Sequence, residues 1–512
     1  MKSPRQVGLS QTFFWLVLFI LAVLTQPAAA YQAYTHTPLT DKVDEMFKPW
    51  DNNYSPGAAL GIFKDGRIIY ARGYGLANLE YNLAWTPQTV SRTGSISKQF
   101  IAMCIAILAE QGKLSLEDDI RKFLPDWPDY GRPIKIKHLL HHTSGVREYL
   151  TLVSLIGKPE GSGYVYTPCE LLRLLSRQKE LNFEPGERFS YSNSGYFLLS
   201  EIISRVSGLK TSAFAKKYIF EPLGMDNTHF HDDPNMIVKN RAYGYSPQKD
   251  GSYRLDILRL KVIGDLGLMT TIEDFFKWDQ NFYHNCLGTG NQNLIKTMLT
   301  PGKLNNGEQI SYALGLNITY ALGLNIRKYG GLRMISHSGS AVGYVAYYVQ
   351  FPDQKFSVFI LSNLSTFSPG KIAMKIADLY LADQFREPPI SKRRERPPRP
   401  KLKPISVSPD KLKEYVGKYY SQELNIIYTF MLKNNNLTLK LREIATPLIP
   451  YSADTFGWED YYEGARRKLH FTRDEEQKIS GFVLQEGEVK NIKFQKLKEQ
   501  SPVLILEAYQ KQ

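Results

Sequence analysis

The chain has 512 residues, 43 % of them hydrophobic, a formal net charge of +14 and three cysteines. That length is too great for one typical domain, the apolar content is too high for a disordered chain, and three cysteines cannot hold a disulfide scaffold together. The positive charge suits anionic partners, but prolines break up its densest stretch, which argues against nucleic acid.

Lys2 and Arg5 precede an apolar run from Phe13 to Leu24, and Ala28-Ala-Ala30 follows. The run is short for a bilayer span of about 20 residues and ends on small residues, so a signal peptide over 1–30 is expected and the mature protein is placed in the periplasm or outside the cell. An uncleaved anchor is the alternative. No cysteine follows the run to carry a lipid. Phe63-Lys-Asp-Gly-Arg67 then reads as a hairpin turn between two strands.

Ser95-Ile-Ser-Lys98 is the first chemically suggestive motif. Serine three residues before lysine recurs at Ser176, Ser207, Ser246, Ser368 and Ser408, so spacing alone decides nothing. Context separates Ser95: Phe100, Ile101, Cys104, Ile105 and Leu108 follow at helical spacing until Gly112. Residues three apart share a helix face, which places Lys98 beneath the Ser95 hydroxyl. A lysine has a pKa near ~10.4 in water, and burial can lower it by roughly 3–5 units, enough to make it a base. The alternative is a serine helix cap beside a surface lysine.

Tyr191-Ser-Asn193 joins a turn-bearing stretch to a second helical run, Tyr196, Phe197, Leu199, Ile202 and Ile203. A phenol beside an ammonium can exchange protons with Ser95, and the Asn193 amide can donate and accept, toward substrate or toward Lys98. His337-Ser-Gly339 precedes a β-branched and aromatic strand, Val342 to Phe351, with a second strand over Ser357–Ser362. The glycine admits a substrate backbone, and the amides of Ser95 and Ser340 form a candidate oxyanion hole.

With these motifs in order, the chain resembles the serine β-lactamase and penicillin-binding-protein-like hydrolases: class C β-lactamases, D-alanyl-D-alanine carboxypeptidases, D-aminopeptidases and esterases. Phe63–Arg67, Gly94–Phe100, Gly112–Asp119, His138-Leu-Leu-His-His-Thr-Ser-Gly145, Phe183–Gly186 and Pro222–Met225 extend the likeness over roughly residues 40–384. The resemblance implies Ser95 as acylated nucleophile, Lys98 and Tyr191 as the proton-transfer pair, Asn193, His337 and Gly339 as substrate contacts, and no cofactor or metal. Class C enzymes usually carry Tyr-Ala-Asn and Lys-Thr-Gly at the second and third motifs, so the peptidase and esterase branches are closer. Histidine titrates near ~6.5 and is a weaker anchor than lysine for a β-lactam carboxylate. The expected function is an exported serine hydrolase acting on D-amino-acid peptides or small esters. The alternatives are a β-lactamase, or a non-catalytic binding protein that retains the fold. Leu266 in Gly264–Thr271 replaces a glycine common in the family's loop.

The expected fold is α+β: an antiparallel sheet flanked by helices over 31–385, with a helical lobe inserted between residues 95 and 330. Tyr312-Ala-Leu-Gly-Leu-Asn-Ile318 is repeated as Tyr320–Ile326, a tandem duplication that must extend a loop or shift a strand near the cleft. Residues 386–404, rich in proline and basic side chains, read as a linker, either a merely soluble spacer or a peripheral contact with anionic envelope components. Residues 405–512 read as a small antiparallel barrel, with strands at Ile426–Leu432, Asn436–Leu441 and Phe482–Gln485. They resemble the lipocalin-like domains that follow this hydrolase, where substrate access or self-association is the family precedent. Oligomeric state is left open. Cys104 reads as a core residue, and His138, His141 and His142 lack the acidic or thiolate partners of a metal site.

Overall fold

The computed structural model describes residues 37–159, 161–259, 261–313, 316–388, 403–457 and 467–498. The expected signal peptide, most of the linker and two residues of the first repeat copy lie outside them. Among the described residues no helix is long and apolar enough to cross a membrane.

The N-terminal strands Ala58–Lys64 and Arg67–Tyr74 pair through a turn in which Asp65 and Gly66 both take positive φ, 49° and 74°, as a right-twisted hairpin requires. They close one edge of an eight-stranded antiparallel sheet. It continues through Phe356–Ser362, Tyr344–Phe351, Leu332–Ala341 and Asn325–Tyr329 to Leu316–Tyr320 and Ser311–Ala313. Ala58–Phe63 is buried throughout because both faces of the sheet are covered. Helices Pro38–Phe47 and Pro369–Tyr380 pack on one face, with Phe47 stacked 4.2 Å from Tyr74. Helix Ile272–Asn281 packs on the other, where Phe275 lies 3.7 Å from Phe359.

The helical lobe stands against that second face. Helix Ser97–Glu110 is its axis and is buried from Ser97 to Leu108, which explains why its apolar residues are not confined to one stripe. Asn193–Ser207 packs against it and ends at Gly208 in the left-handed region. The lobe also carries short strands, His229–Phe230, Tyr245–Pro247, Tyr253–Leu255 and Leu268–Thr270, so it is not purely helical.

Residues 417–496 form a nearly closed barrel of nine antiparallel strands, whose two end strands, Ile444–Pro447 and Ile449–Ser452, are neighbours in sequence. Its interior is filled by Tyr419, Phe430, Phe471 and Phe482, with ring centroids 5.3–5.7 Å apart. The barrel docks on the lobe through a buried ion pair, Arg147 to Glu423 at 2.5 Å.

All three cysteines are unpaired, and burial raises the Cys104 thiol far above its ordinary value. No metal-ligand cluster occurs among the described residues.

Candidate active site

Ser95 sits in a single 3-10 turn, Gly94–Ile96, two residues before the buried helix begins. It is the one partly exposed residue between Ser91 and Phe100. Lys98, one helical turn on, is fully buried, and its Nζ lies 3.0 Å from Ser95 Oγ, 2.8 Å from Asn193 Oδ1 and 2.9 Å from the Asp265 carbonyl.

Those three contacts suit either protonation state of the amine. Asn193 Nδ2 donates to Glu148 Oε1 at 3.1 Å, which turns Oδ1 toward Lys98; that oxygen and the Asp265 carbonyl can only accept. A neutral amine has two N–H bonds and one lone pair. With both N–H bonds directed at these acceptors, the lone pair faces the Ser95 hydroxyl. After proton transfer the ammonium has three donors for the same three oxygens, so neither state requires rearrangement.

Tyr191 lies alongside, with Lys98 Nζ 4.9 Å from its ring centroid. His142 packs on Tyr191 at 4.2 Å between centroids and accepts a hydrogen bond from Ser192 N through Nδ1 at 3.1 Å. Burial holds this imidazole well below its ordinary pKa, so it acts as a neutral clamp. The turn around it also binds the following loop, with Gly186 N on Thr143 O and Ser190 N on His142 O. This explains His138–Gly145 as a structural turn beside the cleft.

On the opposite wall, strand Leu332–Ala341 passes directly over the Ser95 turn, and two glycines permit it. A Cβ on Gly339 would stand 1.7 Å from Thr93 O, and one on Gly94, whose φ is +56°, would stand 2.5 Å from Ser340 N. This approach brings the backbone amides of Ser95 and Ser340 together, the two expected oxyanion donors.

His337 departs from its expectation. Its ring is 3 % exposed, with Nδ1 2.6 Å from Ser338 O and Nε2 3.3 Å from the Tyr320 hydroxyl. Desolvation, with the nearby Lys98 charge, pushes its pKa down to about 3. The ring is therefore neutral at every physiological pH rather than titrating near 6.5. Lost solvation, invisible in the tripeptide, is the cause.

Tyr320 belongs to the second copy of the duplication, so that copy builds the site. Its Gly323 packs against the backbone of Lys98 and Gln99, while the first copy runs through the two outer strands of the sheet. Leu266 is 5 % exposed in the loop that presents Asp265.

Sequence reasoning did not single out Glu148, Tyr149, Asp265, Tyr320 or the clamp role of His142. Glu148, half-buried, and Asp265, fully buried, are carboxylates whose pKa values rise chiefly through desolvation. Tyr149 donates to Asp265 Oδ2 at 2.9 Å.

Residues 43–382 match the Beta-lactamase family over two thirds of the chain. The chain belongs to the beta-lactamase family. This beta-lactamase-family chain is 27 % identical over 447 residues to penicillin-binding protein 4* of Bacillus subtilis, covering 82 % of the chain and 91 % of that relative. It is 26 % identical over 310 residues to a D-aminopeptidase of Gluconobacter oxydans, covering 60 % of the chain but 56 % of that longer protein. In three dimensions the octameric penicillin-binding protein homologue from Pyrococcus abyssi aligns with a TM-score of 0.60 at 27 % identity, covering 89 % of the chain and 98 % of the homologue. A D-stereospecific amidohydrolase from Streptomyces, at 20 % identity and TM-score 0.54, shares the fold.

Proposed function

We propose that the protein is an exported serine hydrolase that forms a covalent acyl-Ser95 intermediate and acts on amides or peptides of D-amino acids and on small esters. The observation that carries this reading is the Lys98 amine, held by two acceptor oxygens with its third direction on Ser95 Oγ. In the first step Oγ attacks the acyl carbon as its proton passes to Lys98, with the Ser95 and Ser340 amides receiving the oxyanion. Tyr191 delivers a proton to the departing amine or alcohol. Water then repeats the sequence in reverse and releases the acid. Penicillin-binding and D-aminopeptidase relatives support the substrate class.

A largely apolar pocket refines it. Tyr149, Val153, Tyr164, Tyr166, Leu171 and Leu258 line it, and the Tyr149 hydroxyl is joined to the Lys98 site through Asp265. Such a wall suits a bulky apolar side chain. A neutral His337 offers no charge to a β-lactam carboxylate. D-Phenylalanine amide and its ester are therefore expected to be turned over with higher kcat/KM than the D-alanine equivalents, and nitrocefin poorly. Leu150→Trp, at the cavity wall, is expected to reverse the aromatic preference by about tenfold, the scale of one apolar contact. Equal rates for both side chains in wild type and variant would refute the assignment of the cavity. Absence of any ester or amide turnover would refute the hydrolase reading.

A further inference from the structure

We infer that the C-terminal barrel supplies a positioning residue, Glu423, for the nucleophile site of the hydrolase domain, an inference that rests on the acyl transfer proposed at Ser95. Glu423 is 4 % exposed and Arg147 is 2 % exposed, on opposite sides of the interface between barrel and lobe. Glu423 Oε1 accepts from Arg147 Nη1 at 2.5 Å and from Lys179 N at 2.9 Å, Oε2 accepts from Lys493 N at 3.3 Å, and its carbonyl accepts from Gln178 Nε2 at 3.2 Å. Arg147 Nη2 donates to Lys490 O, also in the barrel, at 2.8 Å.

Arg147 is the first of three consecutive residues that point in three useful directions. Glu148 accepts from Asn193 N at 2.6 Å and Asn193 Nδ2 at 3.1 Å, which sets the amide flip that offers Oδ1 to Lys98. Tyr149 donates to Asp265, whose carbonyl is the other Lys98 acceptor. Ser194 ties the segment together, its Oγ donating to Arg147 O and accepting from Tyr149 N, both at 2.7 Å. The two oxygens that orient the Lys98 lone pair are thus held by the residues adjoining the one that the barrel grips. A shift of Arg147 moves both at once.

The test uses the full chain with Glu423→Ala and Glu423→Gln, the glutamine keeping one acceptor oxygen for Arg147 and the Lys179 amide. For Glu423→Ala the expected result is a kcat about tenfold or more below wild type on D-phenylalanine ester. KM should change less than kcat, and the acidic limb of kcat/KM should move to lower pH as the Lys98 ammonium loses its acceptor oxygens, with partial recovery in Glu423→Gln. A purely structural role would lower the active fraction and leave the pH profile in place. Amide hydrogen exchange gives a readout independent of activity: faster exchange confined to peptides spanning 145–155 and 190–198 is expected in Glu423→Ala. Unchanged exchange there, or a folded Glu423→Ala with wild-type kcat and pH profile, would overturn the inference. If wild type neither turns over the ester nor is acylated at Ser95, the proposed function fails, while exchange still decides whether the barrel positions this segment.

Discussion

Lys98→Met is expected to lower kcat about 10²–10⁴-fold, the range for loss of a positioned general base, while KM changes far less. Methionine fills nearly the same volume, so the helix beneath Ser95 keeps its packing. What disappears is the amine held 3.0 Å from the Ser95 hydroxyl. The substitution also strands two oxygens, Asn193 Oδ1 and the Asp265 carbonyl, whose Lys98 partner at 2.8 and 2.9 Å is gone. Leaving buried acceptors unsatisfied costs about 1–3 kcal/mol each, offset in part by removal of a buried amine. Single-turnover acylation beside a thermal melt separates these effects: a large fall in rate with a small fall in Tm is the expected pair. An acylation rate within threefold of wild type would show that Tyr191 or another group is the base.

Gly339→Ala is expected to reduce kcat about 10²–10³-fold, the loss measured in comparable sites when one oxyanion donor is withdrawn. The reason is steric. The new Cβ would lie 1.7 Å from Thr93 O, inside any real contact distance, and Thr93 belongs to the turn that carries Ser95. Backbone must yield on one side, and either movement separates Ser340 N from Ser95 N. Because the oxyanion forms only as the acyl carbon is attacked, KM should change less than kcat. A normal kcat in a folded Gly339→Ala variant would remove Ser340 from the oxyanion site.

The sequence carried the local parts of this arrangement well. Helical spacing after Ser95 was enough to place Lys98 under it, and the Asp65-Gly66 dipeptide was enough for the first hairpin. Asn436–Leu441 runs over the same residues as expected, because Asn434 and Asn435 both take positive φ just before it. Most of the other barrel strands were not legible. Gly417–Ser421 and Val489–Lys496 alternate between core and solvent over short spans with charged outer residues, a pattern shared with loops.

The deeper parts of the site escaped because they depend on burial and on long-range contact. Glu148 looks like an ordinary helix-starting carboxylate, and only the fold brings Asn193 onto it, 45 residues away. His337 looks like a titrating side chain until Tyr320 covers it. Nothing in either copy of the duplication says which tyrosine will reach the cleft; pairing of Asn325–Tyr329 with Leu332–Ser336 selects the second.

The most direct measurement is intact-mass analysis, followed by peptide mapping, after brief exposure to a fluorescent phosphonate or penicillin probe. The expected result is one stoichiometric adduct on Ser95 in wild type, none in Ser95→Ala, and slowed formation in Lys98→Met. An adduct of equal yield in Ser95→Ala, or one mapped to another residue, would contradict the account.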